Sequence, residues 1–177
     1  RRHGFARTSH WRFDEARERF LLSSFPATLK DWPHDFLLSL SFSLRSHSLE
    51  IHLEVENSGS ESFAFQAALH TYFLVEDASR CEITGLESID YQDEGTKSQH
   101  RGESKALTFG AKIDRVYSEA ADRVVTVQSE NPGPTRVETK GFSDIVVWNP
   151  GPDHGIGDLP EDGWKKLVCV ESGQIGR

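Results

Sequence analysis

Hydrophobic and polar residues alternate with a period of two along much of the chain, and this pattern predicts β-strands. Residues 38–44 alternate leucine or phenylalanine with serine, and residues 49–56 alternate Leu, Ile or Val with Glu or His. The short segment 46–48 between them predicts a turn, so the two runs should form an antiparallel hairpin with one apolar face. Turn-forming residues at 57–60 end this pattern, and the alternation resumes over residues 63–72.

Shorter runs of the same kind predict further strands. These runs are residues 81–84, 112–117, 123–128, 135–139, 145–148 and 166–171. The last two are denser in apolar residues and are predicted to be buried on both faces. Helical periodicity is weak, and residues 14–22 are predicted to form at most a short helix. Many short strands separated by turns are typical of an all-β antiparallel sandwich or barrel, here expected as a single domain over residues 1–177.

Composition and charge restrict the classes of function. The 177 residues carry a formal net charge of −8, are 36% hydrophobic and have a mean hydropathy of −0.52. An acidic chain argues against general nucleic-acid binding, and no apolar run approaches the roughly 18 residues that cross a membrane. Residues 1–20 are basic, unlike the rest of the chain, because they contain six arginines and three acidic residues. This basic segment, which includes Arg1, Arg2 and Arg7, is either a solvated stretch or an anion site.

The cysteines and the ends of the chain bear on its cellular context. Cys81 and Cys169 are typical of free thiols in a reducing compartment, although one disulfide between them is also compatible with the sequence. No N-terminal segment has the apolar core of a signal peptide, so we expect a cytoplasmic protein. Because the sequence begins Arg-Arg and contains no methionine, we also expect it to be part of a longer protein.

Two residues are candidates for proton transfer. His70 lies on the opposite side of its predicted strand from Leu69, where an imidazole is either a structural group or a catalytic one. Glu171 ends the apolar run 167–171, where partial burial would raise the pKa of its carboxyl group. Alternatively, the strand ends at the surface there, since serine and glycine follow.

Asp114 and Trp148 are candidates for contacting a substrate. Asp114 precedes Arg115 in a predicted strand, so it belongs either to a surface salt bridge or to a site. Trp148 closes a predicted buried strand, where an aromatic ring serves either the core or a sugar-binding platform, and we include it among the substrate-binding candidates. Zinc-ligand spacings, a phosphate-binding glycine motif and a nucleophile elbow are all missing from the sequence, so no metal or cofactor is expected.

Six segments together resemble the hexose-6-phosphate mutarotases, also called glucose-6-phosphate 1-epimerases, of the aldose 1-epimerase superfamily. They are residues 3–7 (HGFAR), 32–36 (WPHDF), 69–73 (LHTYF), 113–117 (IDRVY), 146–150 (VVWNP) and 168–171 (VCVE). They occur in the family's order and extend over nearly the whole chain. The resemblance implies a galactose-mutarotase-like β-supersandwich. It also implies interconversion of the α and β anomers of a hexose 6-phosphate without a cofactor.

The resemblance further implies roles for individual residues. In such enzymes the glutamate of the last motif is the general base and the histidine of HTYF is the general acid, which correspond to Glu171 and His70. The aspartate of DRVY and the histidine of HGFAR contact sugar hydroxyls, which correspond to Asp114 and His3. The arginine of HGFAR helps to hold the phosphate and corresponds to Arg7.

The chain departs from this family at its two ends. Relatives have strands and another phosphate-binding arginine before HGFAR, and further strands after the glutamate, so the sandwich is expected to be incomplete here. Two alternatives stay open: an enzyme of the same fold that acts on free aldoses, and a catalytically inactive carbohydrate-binding β-module. In the main interpretation the partner is a small hexose phosphate, neither nucleic acid nor membrane, and the protein is a monomer.

Overall fold

The computed structural model describes residues 3–175, and these residues form mostly antiparallel β-strands. In chain order the strands are β1 (Arg12–Asp14), β2 (Arg19–Ser23), β3 (Phe36–Arg45), β4 (Ser48–Asn57), β5 (Ala67–Leu69), β6 (Tyr72–Leu74), β7 (Glu82–Thr84), β8 (Tyr91–Asp93), β9 (Ser98–His100), β10 (Leu107–Thr108), β11 (Ile113–Tyr117), β12 (Val124–Gln128), β13 (Thr135–Glu138), β14 (Asp144–Asn149) and β15 (Leu167–Gln174). The helical elements are α1 (Pro26–Asp31) and the 3-10 helices Ala6–Thr8, Ala78–Arg80 and Glu161–Lys166. Within residues 3–175 no helix is long and apolar enough to cross a membrane.

The chain divides into two compact units, and the first is Arg1–Phe65. In its described part, a four-stranded sheet has the order β1-β2-β3-β4. The predicted hairpin is confirmed, because β3 and β4 pair antiparallel with Leu38 opposite Val55 and Leu44 opposite Leu49. This register places the apolar side chains of both strands on one face of the sheet.

Residues 14–22 form strand and turn, so the short helix predicted there is wrong. The second half of this segment belongs to β2, which pairs with β3 and places Phe20 opposite Leu40. Pairing with a long neighbouring strand outweighs the weak helical tendency of the segment. The helix of this unit is α1, which begins at Pro26, a position that needs no backbone N–H donor.

The second unit, Gln66–Arg177, contains two antiparallel sheets in the part that the structure describes. The larger has the order β5-β15-β14-β11-β8-β9, with β6 also paired to β15, and the smaller has the order β10-β7-β12-β13. Their facing side chains form one buried cluster that joins Val125 and Val127 of the smaller sheet to Val147 and Val168 of the larger. The sheets therefore pack face to face, and the predicted all-β antiparallel class is confirmed.

The strands predicted in this unit are present with small shifts at their ends, except that the run 63–72 is a strand only over β5 and at the first residue of β6. As predicted, β14 and the apolar part of β15 are buried on both faces. The sequence prediction missed β8, β9 and β10, because two or three residues are too few to show alternation. That the two units form a single domain stays a prediction.

A buried asparagine fixes the chain where β14 ends. The Asn149 amide nitrogen donates to the carbonyl oxygens of Trp164 and Leu167 at 2.9 and 2.8 Å. Its amide oxygen accepts the N–H of Gly151 at 2.9 Å. Gly151 has a φ of +73°, and a Cβ there would lie 2.5 Å from a backbone nitrogen, so a larger residue would clash. These contacts hold the strand end that carries Trp148.

Candidate active site

Strand pairing in the larger sheet places the candidate residues of the second unit in two adjacent rows. The first row contains Glu171, Val146 and Val116, and the second contains Cys169, Trp148 and Asp114. Because successive side chains of a strand point to opposite faces, both rows lie on the face away from the buried cluster that contains Val147 and Val170. The sheet thus gathers residues that are far apart in the sequence.

His70 joins this face at a break between β5 and β6. The N–H of Thr71 donates to the carbonyl oxygen of Leu69 at 2.9 Å, which closes a three-residue turn centred on His70. The residues on either side of this turn pair with β15, and their register places His70 beside Glu171. The side of the strand predicted for His70 is therefore confirmed.

The two candidates for proton transfer are in direct contact. His70 Nε2 lies 3.3 Å from Glu171 Oε1, a distance at which an imidazolium and a carboxylate form an ion pair. The Glu171 side chain is 8% exposed and the His70 side chain is 31% exposed. The alternative in which the strand ends at the surface at Glu171 is wrong, because β15 continues to Gln174.

The environment of Glu171 favours its protonated form. Burial, with a smaller contribution from the negative charge of Asp114, raises the pKa of Glu171 from 4.5 to about 7. Burial also raises the pKa of Asp114, and the nearby charge of Lys112 opposes this effect. The carboxyl group of Glu171 can therefore gain and lose a proton near neutral pH, as a general acid–base catalyst must.

Asp114 and Arg115 point to opposite faces of the sheet, so Arg115 is not the partner of Asp114 in the surface salt bridge that the sequence left open. The Arg115 guanidinium lies 4.2 Å from the centre of the Tyr91 ring, and its Nη1 lies 3.3 Å from a carboxylate oxygen of Glu103. Asp114 instead lies opposite Trp148 on the site face. This leaves the Asp114 carboxylate on the same surface as the proton-transfer pair.

Aromatic rings surround the imidazole. The ring of Tyr72 stacks on His70 with centroids 4.7 Å apart and an interplanar angle of 11°. The indole of Trp148 meets His70 at 6.1 Å and 71°, and meets Tyr72 at 6.4 Å and 77°. The sequence prediction named Trp148 and missed Tyr72, although its phase of alternation, the same as that of His70, was a usable signal.

The row of Glu171, Val146 and Val116 continues across the sheet into two polar residues that the sequence prediction also missed. Strand pairing places Gln92 opposite Val116 and Gln99 opposite Gln92. The buried amide of Gln92 donates to Glu94 at 2.6 Å and accepts from Gln99 at 2.9 Å. They were missed because β8 and β9 were not predicted as strands.

Comparison with known proteins decides the family. The family described as "Aldose 1-epimerase" matches residues 1–177, the whole chain. The chain belongs to the aldose 1-epimerase family. A relative from Escherichia coli K12 named "Putative glucose-6-phosphate 1-epimerase" is 33% identical over 189 residues, which cover 96% of this chain and 59% of that protein. A relative of the same name from Cenchrus ciliaris is 29% identical over 191 residues, which cover 98% and 58%.

Solved structures support the same family. A crystal structure from Salmonella typhimurium described as a "putative mutarotase" matches with a TM-score of 0.82 and 31% identity, over 97% of this chain and 60% of that one. A "galactose mutarotase related enzyme" from Lactobacillus acidophilus matches with a TM-score of 0.78 at 17% identity, over 96% and 61%, which shows the fold alone. The predicted galactose-mutarotase-like fold is confirmed. The chain spans about three fifths of the length of these relatives.

Two site residues expected for an aldose 1-epimerase family member lie in the first unit. His3 is exposed and has a φ of +63°. Arg7 is exposed within the 3-10 helix Ala6–Thr8. Their contacts with substrate stay predictions. The predicted basic segment also includes Arg1 and Arg2, which lie outside the described residues.

The described residues of the candidate site include no metal cluster and no activated thiol. Among residues 3–175, no group of three or more His, Cys, Asp or Glu is arranged to hold a metal ion. Cys81 and Cys169 are buried free thiols, so the prediction of free thiols is confirmed and the alternative of a disulfide between them is wrong. Burial raises the pKa of both thiols. The Cys169 thiol on the site face is therefore protonated and a poor nucleophile.

Proposed function

We propose that this chain carries the catalytic pair of an enzyme that interconverts the α and β anomers of a hexose 6-phosphate. Ring opening and reclosure by acid–base catalysis is the proposed reaction, and it consumes no cofactor. The direct contact between His70 and Glu171 is the observation that carries the proposal. Asp114 and Trp148 lie on the same sheet face, where they can contact the sugar.

Ring opening needs one proton to leave the sugar and one to enter it. The Glu171 carboxylate takes the proton of the C1 hydroxyl, and the His70 imidazolium gives a proton to the ring oxygen. The electron pair of the bond between C1 and the ring oxygen goes to that oxygen, so C1 becomes an aldehyde. Rotation about the C1–C2 bond then presents the other carbonyl face. Reclosure runs the two proton transfers backwards and regenerates both groups.

The raised pKa of Glu171 suits this reversal. Its value of about 7 lets the carboxyl group lose and regain a proton near neutral pH. The proposed reaction needs both forms of this group, so neither direction of its proton transfer carries a large penalty.

The contact distance also suits the geometry of the reaction. The hydroxyl oxygen and the ring oxygen are bonded to the same carbon, so a single bound sugar presents both to groups that lie side by side. We propose that the sugar replaces the contact of 3.3 Å between His70 and Glu171 with one contact to each. His70 is the more exposed partner, so it is the one that yields to an entering ring.

A phosphorylated sugar is supported by two observations. Curated relatives that match nearly the whole chain carry the name "Putative glucose-6-phosphate 1-epimerase". The segment 1–20 is also rich in arginine within an acidic chain. An arginine binds a phosphate through two parallel, charge-assisted hydrogen bonds, and we propose this role for Arg7.

The proposal predicts faster equilibration of anomers. We expect the full chain to speed the approach of freshly dissolved α-glucose 6-phosphate to its anomeric equilibrium, followed by NMR of the anomeric proton. Free glucose, tested in parallel, should respond less. Rates equal to the spontaneous rate for both sugars would contradict the enzyme proposal and leave the carbohydrate-binding β-module.

Phosphate recognition is tested by replacing Arg7 with alanine. We expect Arg7→Ala to raise KM for glucose 6-phosphate by about 10- to 100-fold, since hydrogen bonds to charged groups contribute about 1.5–3 kcal/mol. The rate with free glucose should stay unchanged. Arg17→Ala is the matched control, because Arg17 is exposed in the same basic segment and pairs with Asp14 at 3.4 Å. Equal effects of Arg7→Ala on both sugars would remove the phosphate proposal.

A free aldose is the second candidate substrate. The description of the matching family names aldoses without a phosphate. The residues of the second unit, which would act at the anomeric carbon, serve either substrate. Acceleration with glucose that equals or exceeds that with glucose 6-phosphate would favour this second candidate.

A further inference from the structure

The ring of Tyr72 covers one face of the His70 imidazole. The two rings are nearly parallel, at 11°, with centroids 4.7 Å apart. Trp148 meets the imidazole edge-on, at 6.1 Å and 71°. The imidazole is therefore held by one stacked ring and one perpendicular ring.

This arrangement restricts the orientation of the imidazole. His70 lies in a three-residue turn between β5 and β6, so strand pairing does not itself hold its side chain. Any rotation of the imidazole about its bond to Cβ other than a half turn would break the parallel stacking on Tyr72. The contact of Nε2 with Glu171, at 3.3 Å, distinguishes the two orientations that share this plane. Stacking thus fixes the ring plane, and the contact with Glu171 selects the edge that the proton transfers need.

The exposure of Tyr72 argues against a role in the core. Tyr72 is 58% exposed, and its neighbour Leu74 on the same strand is 76% exposed. A side chain with so much surface in water contributes little hydrophobic stabilisation. Its ring contacts His70 and Trp148, which both lie on the site face.

Three groups on the site face act on the charge of His70. Glu171 of β15 favours the imidazolium, and Asp114 of β11 adds negative charge on the same face. Tyr72 of β6 adds the electron-rich face of a phenol ring, which attracts a cation. The stacked ring therefore favours the protonated imidazole that acts as the acid.

We propose that Tyr72 is a positioning residue for His70, which it holds by ring stacking with Nε2 directed at Glu171 and stabilises as an imidazolium. The role of His70 as the acid rests on the proposed function, whereas the stacking does not. The ring carries this role, so phenylalanine should replace tyrosine and an aliphatic residue should not.

The experiment compares Tyr72→Phe with Tyr72→Leu in the full chain. We expect Tyr72→Leu to lower kcat about tenfold with little change in KM, and Tyr72→Phe to stay close to the unchanged chain. NMR titration of the His70 imidazole, assigned by its loss in His70→Asn, should show a pKa lower by about half a unit in Tyr72→Leu. Tyr72→Phe should leave this pKa unchanged.

Controls separate stacking from a loss of structure. Leu74→Ala changes the neighbouring exposed residue of β6 and should leave kcat and the His70 titration unchanged. Tyr72→Thr, a ring-free residue that strands favour, should reproduce Tyr72→Leu if leucine disturbs the strand. If Tyr72→Leu and Tyr72→Thr both leave the His70 titration unchanged, the proposal is overturned. Equal effects of phenylalanine and leucine would also overturn it.

The titration keeps this inference separate from the proposed function. If the unchanged chain does not accelerate anomerisation, the proposed function fails, yet the His70 pKa still reports whether the stacked ring acts on the imidazole. If the chain is active and the ring-free variants keep the kcat and the His70 pKa of the unchanged chain, the inference about Tyr72 fails and the proposed function stands.

Discussion

Replacing Glu171 with glutamine should lower the rate of anomerisation by about 10²- to 10⁴-fold, the range typical for loss of one proton-transfer group. Glutamine keeps the shape of the side chain but cannot take the proton of the C1 hydroxyl. The variant should keep substrate binding, so the loss should fall on kcat rather than KM. Anomeric exchange of glucose 6-phosphate, measured by NMR under saturating substrate, provides the test.

Glu103→Gln is the matched control for this variant. The carboxylate of Glu103 accepts from the Tyr91 hydroxyl at 3.0 Å and lies 3.3 Å from Arg115, whose side chain projects from the face of β11 away from the site. The chemical change is the same, but the sugar should not contact it. We expect Glu103→Gln to keep the rate of the unchanged chain. A Glu171→Gln variant with normal activity would show that another group is the base.

The same variant should also change the stability of the fold in a pH-dependent way. Glu171 has a pKa of about 7 in the folded chain against an ordinary value of 4.5. A carboxyl whose pKa is raised by folding binds more protons in the folded state between these two values. Its stabilising contribution is therefore complete below about pH 4.5 and is lost as the pH rises through about 7.

The size of this effect follows from the two pKa values. Their difference corresponds to about 3 kcal/mol, so we expect a loss of this order. Glu171→Gln cannot ionise and escapes the loss. The variant should thus be more stable than the unchanged chain at pH 8.

Denaturant unfolding at pH 5 and pH 8 measures this difference. The free energy of unfolding of the unchanged chain should fall relative to that of Glu171→Gln between the two pH values, while Glu103→Gln should follow the unchanged chain. If Glu171→Gln shows the same pH dependence as the unchanged chain, Glu171 is not the buried group whose ionisation costs stability. A gain of stability together with a loss of activity would show that ionisation of Glu171 destabilises the fold but is needed for the reaction.

Strong local patterns made part of the fold predictable. The hairpin of β3 and β4 follows from the alternation over residues 38–44 and 49–56, and its register places the apolar residues of these two runs on one face. The alternation also predicted the side of the strand on which His70 lies. By contrast, β2 follows from pairing with β3 rather than from its own sequence, so its identity as a strand was missed.

The contact between His70 and Glu171 was expected from the family resemblance rather than from the pattern of the sequence. Nothing in the local sequence shows that residues 70 and 171 meet, because their contact depends on the register between β15 and its two short partners. The apolar run that ends at Glu171 predicted the raised pKa of its carboxyl group, whereas the contribution of Asp114 comes from another strand and was not predicted. Gln92 was missed because its strand is too short to show alternation, and Tyr72 was missed although its phase of alternation is that of His70.

The break between β5 and β6 gives the two members of the proposed catalytic pair unequal support from the sheet. Glu171 belongs to a strand that pairs with β14 on one side, and with β5 and β6 on the other side before and after the break. His70 sits at the interruption, on backbone that belongs to neither ladder. Strand pairing on both sides thus holds one member of the proposed pair, whereas the other depends on its stacked neighbour Tyr72 for its orientation. The carboxyl group would therefore set the position of the anomeric carbon in a bound hexose.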